Sequence, residues 1–339
     1  MKTNASSSNL CELKATEQAH TNQGEPYYKN KNGTLTMSKA NHGLMASCVF
    51  LSAMSTHVAM ATENGVTNFP VGVNTALNGL LPAPGQTYFY NYFQYYRAEQ
   101  FNDSNRNSSV PKFHAEVIVD APRIVHTWTE TLGPFSLASG VILPIFHTEI
   151  AAGGMRQSKS DIGDMIVHPL MFGYTNDAHN FYTFLAPFDM ALPTGAYDKN
   201  RLANPGQNHL AFMPTIMSTW FPTPKVEVST AFTAEFYTKN HDTDYQSGTV
   251  LSAEGMVGYS LNEKWQVGIQ GFYSKQVTDD KLDGHTYQDG FRGQSAAIGP
   301  QVRYNITPAV ALVAKYQHEF AVENRAEGDK FWVQFAFPL

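Results

Sequence analysis

The residues with chemistry to offer sit on alternating segments: Glu116, Asp120, Asp164, His168, Asp189, Glu227, Glu235, Glu254, Arg303, Lys315 and Glu319. Each falls opposite the more apolar parity of its segment. Successive side chains of a β-strand point to opposite faces, so these groups share the face that the apolar residues leave. A charge held against lipid near the bilayer midplane costs up to about 2–4 kcal/mol. In a membrane-spanning sheet these groups are therefore expected to line the lumen, as a stiffening network or as a polar path with an acidic bias. Ile118, Ile166, Leu170 and Phe172 share that parity, which makes the expected lumen amphipathic.

Covalent chemistry is poorly represented. The chain has no nucleophile elbow, P-loop, dinucleotide fingerprint or zinc-protease helix. His147 stands beside Thr148, and His126 beside Thr127 and near Thr129. A hydrolase needs a Ser–His pair oriented by a third group, and no sequence feature joins either histidine to a serine. The acidic runs at Asp242–Asp244 and Asp279–Asp283 do not match a calcium loop and read as solvated loops, repelled from lipopolysaccharide or bridged to it by divalent ions. No catalytic residue, metal or cofactor is expected. A net charge of −6 and the lack of a Lys/Arg cluster argue against a nucleic-acid partner.

The elements that would position these groups are strands. The last ten residues, Lys330–Leu339, put Phe331, Val333, Phe335 and Phe337 on one parity and Lys330, Trp332, Gln334 and Ala336 on the other. From Val226 to Tyr237 the valines and phenylalanines alternate with Glu227 and Glu235 in the same way. From Gln86 onward strand-like segments are separated by connections that alternate short and long. That pattern predicts an all-β fold, a transmembrane antiparallel up-and-down β-barrel of about twelve strands spanning residues 86–339. Lys330–Leu339 is expected to pair with Gln86–Ala98 and close it. Pro122 is expected to bend or end its strand, and Ala151–Ser160 to be a loop.

Upstream, residues 43–61 form an apolar run preceded by Lys39 and ending Ala59-Met60-Ala61, the layout of a signal peptide cleaved after Ala61. Residues 37–61 are read as that signal and 1–36 as a polar leader or a mis-assigned start. The only cysteines, Cys11 and Cys48, lie before the cleavage site. Residues 62–85 are too short for a domain. With Phe69, Val71, Leu77, Leu80 and Leu81, they read either as a hatch in or under the periplasmic mouth or as a mere linker, and Gly72–Leu81 has the length of one small helix.

The runs NGLLPAPGQTYFYNYFQYY (78–96), SDIGDM (160–165) and LPTGAYD (192–198) resemble the outer-membrane family linked to the meta-pathway of phenol degradation. More distantly the chain is similar to long-chain fatty acid transporters. The resemblance implies a bacterial outer-membrane location and a barrel that lets small hydrophobic or aromatic compounds through passively. Outer-membrane lipid, lipopolysaccharide and the barrel-assembly machinery are the implied partners. A barrel without transport and an outer-membrane lipid hydrolase are the alternatives.

Overall fold

The computed structural model describes residues 66–307 and 309–339. The leader, the signal run and the Ala61 cleavage site lie outside the described residues. The fold is a closed antiparallel barrel of 12 strands. β1 is Thr87–Phe101 and β2 is His114–Leu132. The next four strands are each in two segments. β3 is Phe135–Ile142 and Ile145–Ala152; β4 is Met155–Ile162 and Met165–Thr175. β5 is Phe181–Ala186 and Met190–Leu192; β6 is Ala211–Phe212 and Thr215–Thr223. The remaining six are continuous: β7 (Val226–Tyr237), β8 (Val250–Ser260), β9 (Trp265–Gln276), β10 (Gln294–Thr307), β11 (Val310–Glu323) and β12 (Ala326–Pro338).

Closure follows the expected seam. β1 and β12 pair from Tyr88↔Pro338 to Phe101↔Ala326, with one register shift between Ala98 and Gln100. Outside the seam, Phe89 packs against Phe335 and Phe337 at ring separations of 6.2 and 5.2 Å. Pro338 has no N–H for the ladder, but the next residue supplies one: Leu339 N donates to Thr87 O at 2.9 Å. On β7, Phe232 and Phe236 are exposed on the outer face, while Glu227, Ser229 and Glu235 are fully buried on the inner one.

The broken strands are neighbours, and their breaks carry residues that suit them. Pro144, Pro187 and Pro214 cannot donate to a ladder. At Gly163 a Cβ would stand 2.3 Å from the Phe146 ring, so only glycine lets β4 bend against β3. Pro122 does not end β2. It sits opposite Asn91 in a continuous strand, at the point where β2 passes from one segment of β3 to the other. Beyond the bend, Met155–Ile162 pairs with β3 alone among the described residues. Its other edge is met by the segment after β5: Ala196 N donates to Ile162 O at 3.0 Å and Leu202 N to Gln157 Oε1 at 2.6 Å.

The short/long alternation is less regular than expected. Connections at the end where the barrel's chain ends meet are all tight. At the opposite end 102–113, 193–210, 238–249 and 277–293 are long, but Gly153-Gly154 and Asn324-Arg325 are tight turns. Both glycines have positive φ (59° and 87°), the geometry of a two-residue hairpin. Met155–Ile162 is thus a strand where a loop is expected. Most of its residues are exposed on both parities, so no alternation marks it.

The seam tolerates little. A Cβ on Gly328 would lie 2.1 Å from the Arg97 carbonyl oxygen. Gly328→Val is expected to lose about 1–3 kcal/mol through overpacking. It should lower the temperature at which the compact, fast-migrating species disappears on a semi-native gel.

Candidate functional site

Residues 66–86 run through the lumen as a strap, and charged side chains of the wall grip its backbone. The N–H of Phe69 donates to Glu235 Oε2 at 3.0 Å and that of Leu77 to Glu227 Oε1 at 2.7 Å. Glu254 accepts from the N–H of Gly72 and, at 3.4 Å, from that of Asn74. Carbonyls are met by cations: Lys315 Nζ donates to Gly72 O at 2.6 Å, Val73 O at 2.7 Å and Thr75 Oγ1 at 2.8 Å. Lys330 reaches Val71 O at 3.2 Å and Gln334 reaches Val73 O at 2.9 Å. Gly72 has φ +99°, and a Cβ there would stand 2.3 Å from Gln317 Oε1. The strap is a string of bends and turns, not the short helix expected for Gly72–Leu81. The N–H groups of Gly72, Asn74 and Leu77 go to carboxylates and that of Gly79 to the Thr219 hydroxyl, so a continuous helical ladder does not form. Phe69, Val71 and Val73 are buried beside Met213, Phe272 and Trp332, so apolar packing supplements the polar grip.

The lumen has two unlike halves. β7 to β12 supply the charged and amide groups that hold the strap's backbone. β2 and β3, with Ile166 of β4, present an apolar wall: Val117, Val119, Ala121, Ile142 and Ile150 line a cavity of about 250 Å³ with the strap as its opposite side. Asn204, Pro205 and Gln207 from the 193–210 segment also border it. A second cavity of about 510 Å³ lies beneath, bordered by Leu77, Leu80, Leu81, Tyr88 and Tyr90. Both cavities are bordered by Val73, Asn74, Tyr92, Arg123, Phe184 and Met217, which mark the constriction between them.

The structure places the singled-out residues as follows. Glu227 pairs with Arg303 (2.6 Å), and Glu319 with Lys330 (3.1 Å) while accepting from Tyr96 OH (3.0 Å). His168 Nδ1 lies 2.7 Å from Asp189 Oδ2. Asp164, at the bend of β4, ties three segments together: it accepts from Gly195 N (2.9 Å), Gln207 N (2.8 Å) and Asn68 Nδ2 (3.2 Å). Two residues depart from expectation. Glu116 and Asp120 share the outer parity of β2, where Asp120 is exposed, because the inner positions are Ala115, Val117, Val119 and Ala121. Tyr95 OH donates to Glu116 at 3.1 Å and Asn91 Nδ2 to Asp120 at 2.6 Å, which offsets the cost of an outward carboxylate. Leu170 and Phe172 also leave the expected face. A register shift beside Pro169 turns β4 by one residue, so Met171 and Gly173 are the buried ones. Lys330, Gln317, Gln334 and Arg123 were not singled out as site residues. The inward parity of β12 could have found Lys330 and Gln334.

His126 binds Thr87 Oγ1 at 2.9 Å, and His147 Nδ1 lies 2.7 Å from Ser160 Oγ on the exposed face. No third hydrogen-bonding group orients His147 among the described residues.

Residues 98–335 match the family described as "Putative MetA-pathway of phenol degradation". The chain belongs to that family. No curated protein matches. Among solved structures, the phenol-degradation family chain is similar to the COG4313 outer membrane channel from Pseudomonas putida F1. The TM-score is 0.68 and the identity 18%, over 78% of this chain and 98% of that one. It also aligns with the CymD monoaromatic hydrocarbon channel at TM-score 0.44 and 6% identity, over 76% and 89% of the two chains. A Pseudomonas aeruginosa FadL homologue aligns at TM-score 0.35 and 10% identity, over 79% and 96%. The first of these supports the fold.

Over the long-loop end, the acidic run of this family member is not simply solvated. Tyr245–Gln246, Lys281–Leu282 and His285–Thr286 form a small sheet, and Asp280 is buried beneath it. Asp280 accepts from Tyr245 OH at 2.5 Å, Gly248 N at 2.7 Å and Gln276 Nε2 at 2.7 Å. Burial pushes its pKa up to about 6 despite those donors.

Two outcomes follow for this end and for the strap. A carboxyl raised from 3.8 to about 6 binds its proton more tightly in the folded loop, so the loop is most stable below about pH 4 and weakens as pH rises through 6. Limited proteolysis of 277–293 should accelerate from pH 4 to pH 7, and Asp280→Asn should flatten that dependence. Lys315→Met removes three charge-assisted bonds, each of the kind that contributes about 1.5–3 kcal/mol. Hydrogen exchange of residues 69–77 should quicken by roughly tenfold or more, while the β7–β10 ladders stay protected.

Proposed function

We propose that the chain is an outer-membrane channel for the passive passage of small hydrophobic or aromatic compounds. The observation that carries this reading is the apolar cavity walled by Val117, Val119, Ala121, Ile142, Ile150 and Ile166 inside an otherwise polar lumen. An apolar cavity of about 150 Å³ stays dry and takes benzene, so about 250 Å³ suits a monoaromatic solute. Tight turns and chain ends lie on one side of the barrel and long loops on the other, the arrangement of bacterial barrels with the loops outside. Phe101 and Phe113 border both the cavity and a further hollow of about 740 Å³ among the long loops, which gives an entrance. The strap is the hatch of this path, gripped in the polar half and facing the apolar half. The names of two aligned proteins, an outer membrane channel and a monoaromatic hydrocarbon channel, agree with this reading. Lipopolysaccharide and the assembly machinery are the partners that an outer-membrane barrel would meet.

The test is toluene uptake into vesicles with a lipopolysaccharide outer leaflet. The chain should raise uptake well above empty vesicles, and Val119→Glu, which puts a carboxylate in the apolar wall, should cut that gain by roughly tenfold, as a misplaced buried charge would. Uptake no faster than in empty vesicles would leave a barrel without transport.

A further inference from the structure

The constriction between the two cavities is not built for a purely apolar solute. Arg123 points inward from β2 and borders both cavities. Its Nη1 donates to Tyr92 OH at 3.3 Å, and its guanidinium lies 5.6 Å from the centre of the Tyr90 ring. Among the described residues it has no carboxylate within ion-pair distance, and its Nε donor has no partner. Three other cations of the lumen differ: Arg303 is paired with Glu227, Lys330 with Glu319, and Lys315 is held by the strap. Asn74, which borders both cavities with Arg123, is held to the opposite wall by Glu254. Asp189, a carboxylate bordering the same cavity, has one oxygen 2.7 Å from His168 Nδ1 and the other without a hydrogen bond, and it lies beyond ion-pair distance of Arg123.

Buried donors left without acceptors are costly unless a ligand supplies one. Arginine's planar fork suits a carboxylate, which it can bind through two parallel bonds. Above the fork lies the apolar wall, and at the β11–β12 turn Arg325 borders the same cavity with a second positive charge. From this we infer that the constriction is a head-group site for a monocarboxylate on a small apolar body, its carboxylate on Arg123 and its ring or chain against Val119 and Ala121. The inference rests on the channel reading and narrows it: amphiphilic acids are the preferred solutes, and plain hydrocarbons use only the wall.

Paired uptake of benzoate and toluene at pH 7.5, in vesicles with a lipopolysaccharide outer leaflet, tests this. The chain should carry both, and Arg123→Gln should lower the benzoate-to-toluene ratio at least tenfold. Arg123→Lys, which keeps the charge but loses the fork, should fall between them. Heat-shifted gel migration of each variant confirms that it is folded. Toluene uptake without benzoate uptake, or a ratio unchanged in Arg123→Gln, overturns the head-group site and leaves the channel standing. Failure to carry toluene and benzoate alike overturns the channel reading, and this inference with it.

Discussion

A handful of buried charges gripping a peptide backbone holds the interior together. Glu227, Glu235 and Glu254 accept from N–H groups of the strap, while Lys315 and Lys330 donate to its carbonyls. Each charge would be expensive if buried alone, and the strap's irregular backbone would leave its polar groups unmet without them. Each solves the other's problem. With the grip in place, one half of the lumen can be polar and filled while the other half stays apolar and open.

That division explains which features were legible in the sequence. The closing strand and β7 alternate cleanly because lipid lies on one side and the polar grip on the other. For Glu227, Glu235 and Lys330, polarity therefore follows parity. β2 breaks the rule. Its inner face lines the apolar cavity, so both faces carry hydrophobic residues; its carboxylates Glu116 and Asp120 lie outside beside Tyr95 and Asn91, and Arg123 is the charge it turns inward. A rule that sends every charge inward presumes a polar lumen all the way round.

Other departures have local causes. The shift beside Pro169 exchanges the faces of β4 part-way along, and nothing in the run MIVHPLMFGYT announces the residue at which it happens. Met155–Ile162 lacks an apolar face because it is exposed and paired on one side only, so the signal that reveals strands is missing. The strap's apolar residues suggested a hatch. Its backbone ligands, 140 to 261 positions away along the chain, could not be matched to it from spacing alone.

Those separations also bear on the barrel's assembly. The strap precedes β1, yet its partners come from the far end of the sequence: Glu227 on β7, Glu254 on β8, Gln301 on β10, Lys315 on β11 and Gln334 on β12. Contacts this distant form only after long loops of chain have been closed. The strap's seat is thus made by strands from the far half of the chain, across loops as long as the one that the β1–β12 seam closes.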